Sequence, residues 1–201
     1  MTRIAIIDYG LGNLRSVLRG VERAGAYGHI THDADDIASA DAIILPGVGA
    51  FSEGMEKLSP IRQSILSIAG EVPLLGICLG MQMLMDESEE HGSHQGLSLV
   101  PGRVRRFQSM PHMKVPQIGW NTICHTIPDD PLLEGIPDES YVYFVHSYYV
   151  DCPERYRLCT TDYIVPYASA VKNGRIYGVQ FHPEKSGETG LLLLQNFIGL
   201  V

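Results

Sequence analysis

The sequence predicts an α/β fold, a doubly wound and mostly parallel sheet with flanking helices and an additional antiparallel β layer in its second half. Two observations predict the first part. Short apolar runs alternate with stretches of helical spacing as far as Asp86, and glycine-rich turns join the runs to the stretches. A third observation predicts the second part. From residue 97 the spacing becomes that of β segments punctuated by Pro, Gly and Asp.

Arg3 to Ile7 is the first apolar run, and Leu14, Val17, Leu18 and Val21 form one face of the helix that follows. Between them stands Asp8-Tyr9-Gly10-Leu11-Gly12-Asn13. Only Gly10-x-Gly12 of a dinucleotide fingerprint is present, without its third glycine, so no cofactor is predicted. A turn that lets the loop approach a partner is the preferred use. Tyr27 to Thr31 reads as a weak second strand and Ala42 to Leu45 as a strong third, ended by Pro46-Gly47-Val48-Gly49. Glycines allow backbone amides to turn toward a ligand, so Gly47 to Ala50 is a candidate oxyanion loop beside the alternative of an ordinary turn. Phe51 to Leu58 begins a helix, and Ile61 to Ala69 is a further amphipathic one.

Next comes Val72-Pro-Leu-Leu-Gly76-Ile-Cys78-Leu-Gly80-Met-Gln82. An apolar run, Gly-x-Cys-x-Gly and then helical spacing make the pattern of a nucleophile elbow carrying cysteine. Small residues must flank a side chain projected from a tight strand-to-helix turn, and a helix starting there favours the thiolate. A buried cysteine between glycines is the alternative for this stretch alone. The acidic stretch from Asp86 to His94 reads as a solvated helix end and loop. Neither His91 with His94 nor His29 with His32 has the further ligands of a metal site, so no metal is predicted.

Val104 to Phe107, Gln117 to Ile123, Tyr141 to Val150, Tyr167 to Val171 and Arg175 to Gln180 read as β segments. Lys172-Asn173-Gly174 is a hairpin turn between the last two. Ser186 to Leu200 closes as a helix with Leu191, Leu194, Phe197 and Ile198 toward the core. There is no linker or internal repeat, and residues 1–201 are expected to form one domain.

Composition narrows the function classes. A net charge of −8 without a basic run argues against nucleic-acid binding. No apolar stretch approaches the ~20 residues that span a bilayer. The N-terminus reads as a buried strand rather than a signal peptide. Cys78, Cys124, Cys152 and Cys159 are scattered, which suits a reducing, cytoplasmic setting. The last strand runs into Gln180-Phe-His182-Pro-Glu184, where alternation along an extended chain would put His182 and Glu184 on one side. Cys78, His182 and Glu184 are then the nucleophile, base and orienting carboxylate of a covalent hydrolytic triad.

Gly76-Ile-Cys78-Leu-Gly80-Met-Gln82 together with Gln180-Phe-His182-Pro-Glu184 resembles the triad-type, class I glutamine amidotransferases. Residues 8–13, 45–51, 117–121 and 143–148 resemble the histidine-biosynthesis branch, the glutaminase subunits of imidazole glycerol phosphate synthase. The resemblance covers residues 4 to about 198 and shows no departure at a triad position. It implies that Cys78 attacks the side-chain amide of glutamine, that His182 moves the proton and that Glu184 holds the imidazole. Two amides would face the oxyanion, one from Leu79 and one from the Gly47, Val48 and Gly49 loop. Gln82, Glu90 and the His146-Ser147-Tyr148 backbone would place the α-ammonium and α-carboxylate. Asn13, Trp120, Tyr143 and Lys185 would dock a (β/α)8 cyclase subunit in a heterodimer and receive its signal. That partner would use the ammonia to make imidazole glycerol phosphate and aminoimidazole carboxamide ribotide. On the residues alone three alternatives stay open: Glu90 as a solvated charge, Trp120 as core packing, and Ser147 and Tyr148 as strand interior. Alternative functions are a glutaminase serving another synthase, a cysteine acyl hydrolase or peptidase, and a non-enzymatic binding module.

Overall fold

The computed structural model describes residues 2–201. Its first part alternates β1 (Arg3–Ile7), α1 (Leu14–Arg23), β2 (Tyr27–Thr31), α2 (Ala34–Ala38), β3 (Ala42–Gly47), α3 (Phe51–Leu58), α4 (Arg62–Ile68), β4 (Leu74–Cys78) and α5 (Leu79–Met83). The second part brings β5 (Glu87–Ser88), β6 (His94–Gln95), β7 (Arg103–Arg106), β8 (Gln117–His125), β9 (Ser140–His146), β10 (Tyr148–Asp151), β11 (Arg157–Asp162), β12 (Pro166–Asn173), β13 (Ile176–Val179) and α6 (Gly187–Ile198).

One sheet joins both parts, in the order β2-β1-β3-β4-β13-β12-β10-β7-β5-β6. The strands from β2 to β13 are mutually parallel, whereas β12 returns antiparallel to β13 through the predicted Asn173-Gly174 turn. A branch of β11, β8 and β9 leaves from β12. Strand alternation decides which helices cover which face. Ile4 and Ile6 of β1, Ala42 and Ile44 of β3, and Leu75 and Ile77 of β4 share a core with Val17 and Val21 of α1 and Phe197 of α6. Ile7, Ile43, Leu45 and Leu74 point the other way, against Ile37, Phe51, Leu58 and Ile65. Burial on both faces explains why β3 and β4 read as unbroken apolar runs rather than alternating ones.

Several expectations need correction. β3 does not stop before its proline but runs through Pro46 to Gly47, paired with β4 up to Cys78. Proline is tolerated there because β1 pairs with β3 only as far as Ile44, so no partner strand needs the missing N–H. The 86–94 stretch is not a solvated loop. It forms the β5–β6 hairpin and buries Ser88 and Glu90. The expected strand from Tyr141 to Val150 is two strands that break at Ser147. β11 and α2 were not expected; α2 is announced by Asp33, whose carboxylate caps it by accepting from the Asp35 and Asp36 N–H groups. In α6 the core face is Gly190, Leu193, Leu194 and Phe197, while Leu191 and Ile198 are only partly buried. Among the described residues, no helix is long and apolar enough to cross a membrane.

Candidate active site

Cys78 ends β4 with φ 56° and ψ −108°, left-handed backbone that an L residue adopts only under constraint. Flanking glycines impose the constraint. A Cβ on Gly80 would stand 1.8 Å from the Leu45 carbonyl oxygen, and one on Gly76 would meet the Gly80 carbonyl at 2.8 Å. Strand and helix therefore approach closely enough to project the cysteine out of the turn. The helix it begins, α5, has only five residues, so the field expected of that helix reduces to its first-turn amides.

The neighbouring strands bring the other groups. β13 pairs in parallel with β4, Val179 opposite Ile77, so the chain leaving β13 passes the nucleophile. It does not stay extended, as alternation along the chain would require. Pro183–Lys185 turns as a 3-10 helix, and that turn carries the Glu184 carboxylate back to His182, with Oε1 2.8 Å from Nδ1. Both side chains are almost wholly buried. The His182 N–H donates to the Tyr143 carbonyl, and its own carbonyl accepts from Ser186 Oγ, which fixes the turn. Nδ1–H is committed to Glu184, so Nε2 is the free nitrogen, and it has no partner among the described residues. Burial pulls the His182 imidazole down, but the attraction of Cys78 and Glu184 outweighs it and the pKa is raised to about 9.

A cavity of about 320 Å³ opens over Cys78. Gln82, one turn along α5, lines it, as do Leu79, Val48, Gly49, Ser147 and Tyr148. Glu90 is also on the wall, buried, with Oε2 accepting the Phe51 N–H at 2.7 Å; a solvated charge is thereby ruled out. Ser147 and Tyr148 are at the β9–β10 break rather than inside a strand. Buried His146 holds the break by donating Nδ1–H to the Tyr148 carbonyl at 2.8 Å. Burial pushes its pKa down to about 4, so the ring is neutral, with Nε2 3.2 Å from the Tyr167 hydroxyl. Gly47 is not on the cavity wall. It packs beneath, where a Cβ would meet the Tyr9 hydroxyl at 2.3 Å, and its role is close approach.

Among the residues expected to dock a partner, Trp120, Tyr143 and Lys185 come together on one surface. The two rings stand 6.0 Å apart at 73°, and Lys185 Nζ is 5.9 Å from the Tyr143 ring. Trp120 is 55% exposed, which excludes core packing. Asn13 precedes α1, and its carbonyl accepts the Ser16 and Val17 N–H groups. Two site residues escaped the sequence reading. Tyr9 donates to the Pro46 carbonyl at 2.8 Å beneath the candidate oxyanion loop, and Gln180 approaches the sulfur. The signal for Gln180 was its place two residues before His182. Cys124, Cys152 and Cys159 are free thiols, and burial pushes Cys152 up to about 11.

The family model of class I glutamine amidotransferases matches residues 5–200. The chain belongs to that family. Similar proteins include the imidazole glycerol phosphate synthase subunit HisH of Methanosarcina mazei, 53% identical over 98% of each chain, and that of Archaeoglobus fulgidus, 46% identical over 98% of each. These place the amidotransferase in the HisH branch. Solved structures share the fold at lower identity. A putative GMP synthase protein from Thermoplasma acidophilum superposes with a TM-score of 0.75 at 22% identity, covering 100% of this chain and 94% of the other. The PurLQS structure from Thermotoga maritima gives 0.76 at 19% identity, covering 98% of each chain.

Proposed function

We propose that Cys78, His182 and Glu184 hydrolyse the side-chain amide of glutamine, and that the ammonia passes to a cyclase subunit docked on the β8–β9 face. The observation that carries this reading is the meeting of a strained cysteine with the buried His182–Glu184 pair on one amino-acid-sized cavity.

His182 Nε2 takes the Cys78 thiol proton as the sulfur adds to the amide carbon, and the carbonyl oxygen becomes an oxyanion facing the Leu79 N–H and an amide of the Val48–Gly49 loop. Collapse breaks the C–N bond while His182 Nε2 delivers a proton to the departing ammonia. Water then adds to the γ-glutamyl thioester, giving its proton to Nε2, and glutamate and thiolate are released. Glu184 keeps the proton on Nδ1 throughout and stabilises the imidazolium. Glu90 Oε1, left free by the Phe51 contact on Oε2, would take the α-ammonium, with Gln82 and the Ser147–Tyr148 backbone around the rest.

The partner reading rests on the names of the HisH relatives and on the exposed face of β8 and β9. Ile118 and Tyr141 are each 63% exposed there beside Trp120, apolar area that a monomer rarely presents. The partner would be the (β/α)8 cyclase subunit of imidazole glycerol phosphate synthase, in a heterodimer that forms imidazole glycerol phosphate and aminoimidazole carboxamide ribotide. With that subunit present, Cys78→Ala should abolish glutamate release from glutamine while added ammonium salt still supports synthesis. Retained glutamate release would defeat the nucleophile assignment. Loss of the ammonia-dependent reaction as well would defeat the division of labour.

A further inference from the structure

One buried side chain touches the reacting sulfur without belonging to the triad. Gln180 is fully enclosed, immediately beyond β13, and its Nε2 is 3.7 Å from Cys78 Sγ. Its orientation follows from its neighbours. The Tyr148 carbonyl can only accept, so Gln82 must turn its NH2 end there, at 3.0 Å. The second N–H of the same group is 3.0 Å from Gln180 Oε1. An amide whose oxygen is held in this way presents its N–H groups at the other end, toward the sulfur.

We propose that Gln180 is a fourth catalytic group of this site, donating a side-chain N–H to Cys78 so that the thiolate is held and aimed before attack and received again when the thioester breaks. Gln180 itself neither gains nor loses a proton. When sulfur adds to the amide carbon its negative charge moves to the oxyanion, and the hydrogen bond from the Gln180 N–H to sulfur weakens. When water opens the γ-glutamyl thioester, the charge returns to sulfur and the same N–H stabilises the leaving thiolate. The other groups facing the sulfur do not provide this. The Val145 carbonyl, 4.0 Å from Sγ, cannot donate to a thiolate. Tyr9 donates to the Pro46 carbonyl and Glu90 accepts the Phe51 N–H, leaving His182 as the cation and Gln180 as the neutral side-chain donor. Gln82 ties the donor to the cavity wall, so the sulfur is oriented by the wall that receives glutamine.

This inference rests on Cys78 being the nucleophile, and alkylation separates the two claims because it reads the sulfur without turnover. Iodoacetamide labelling of Cys78 is followed against pH in the whole chain, beside glutamine hydrolysis with the cyclase subunit. Gln180→Met removes the donor, and Gln180→Glu keeps the acceptor for Gln82 while replacing the donor by oxygen. Both should label about tenfold more slowly at neutral pH, with the profile displaced to higher pH. Hydrolysis should lose kcat with KM little changed. If both variants fail to fold, Gln82→Met leaves Gln180 in place without its clamp and should slow labelling about threefold, a smaller fraction of the same effect. Labelling rates and profiles equal to the parent chain in any of these folded variants would overturn the proposal. A parent Cys78 inert to iodoacetamide would instead defeat the nucleophile reading.

Discussion

At the scale of single residues, the site depends most on a side chain that is missing. Gly80 has no room for a methyl group, because the Leu45 carbonyl occupies the position 1.8 Å from where its Cβ would be. That obstacle is backbone in the centre of the sheet, which cannot rotate away. Gly80→Ala should therefore destabilise the protein by about 3 kcal/mol or more in a denaturant titration, the range of severe core overpacking. A loss below about 0.5 kcal/mol, typical of surface changes, would show that strand and helix can separate there. The Gly-x-Cys-x-Gly spacing made this pair of glycines legible in the sequence, since few other constraints demand small residues on both sides of a cysteine. Glu90 and Gln180 were less legible. Glu90 sits in an acidic run that looks solvated, and only the fold brings its carboxylate to the Phe51 amide. A glutamine beside an apolar strand carries no periodic signal of what its amide will meet.

At the scale of elements, the break between β9 and β10 shapes the cavity wall, and a neutral histidine locks it. Sequence periodicity ran the two strands together, because a break made by a buried hydrogen bond leaves the alternation on either side intact. The 3-10 turn after β13 was hidden for a similar reason. His182 and Glu184 meet as expected, but through a turn that proline permits rather than through alternation. The lock at the break gives a pH signature. His146 is depressed to about 4 in the folded chain, against an ordinary value of 6.5, so between these the unfolded chain binds a proton that the folded chain refuses. Its contribution is fully present above about pH 6.5 and is lost as pH falls toward 4, with a slope approaching about 1.4 kcal/mol per pH unit. His182 has the opposite sign. Raised to about 9, its contribution is fully present below about pH 6.5 and is lost as pH rises through 9; parent and variant share it, so it cancels from their difference. In guanidinium unfolding at about pH 7 and about pH 5, His146→Asn should start less stable yet lose about 2 kcal/mol less on acidification than the parent chain. Equal losses would mean that the histidine is charged in the folded protein.

At the scale of the whole molecule, the sheet gathers three carboxyl ends at one edge. β3 delivers the Val48–Gly49 loop, β4 the nucleophile and β13 the base, and their mutual pairing sets the distances. That arrangement could be read from sequence only as a class of fold, since nothing local says that the last strand returns beside β4. The antiparallel branch then adds a surface wired to the base. Tyr143 of β9 accepts the His182 N–H with its carbonyl, donates its own N–H to Ser186 Oγ, and presents its ring to Trp120 and Lys185 outside. A partner seated on Trp120 would therefore press on a strand whose backbone holds the turn of His182 and Glu184. Trp120→Ala should remove an anchor of the kind that contributes at least about 2 kcal/mol to association, weakening binding about thirtyfold. At cyclase concentrations that just saturate the parent chain, glutamine hydrolysis in the variant should fall accordingly and recover when more cyclase is added. Labelling of Cys78 by iodoacetamide without the partner should be unchanged, because the indole is on the outer face and touches none of the triad. Undiminished hydrolysis at that concentration would move the docking surface elsewhere. A loss that excess cyclase does not restore would show instead that the tryptophan transmits activation as well as affinity, through the Tyr143 ring to the turn that carries His182 and Glu184.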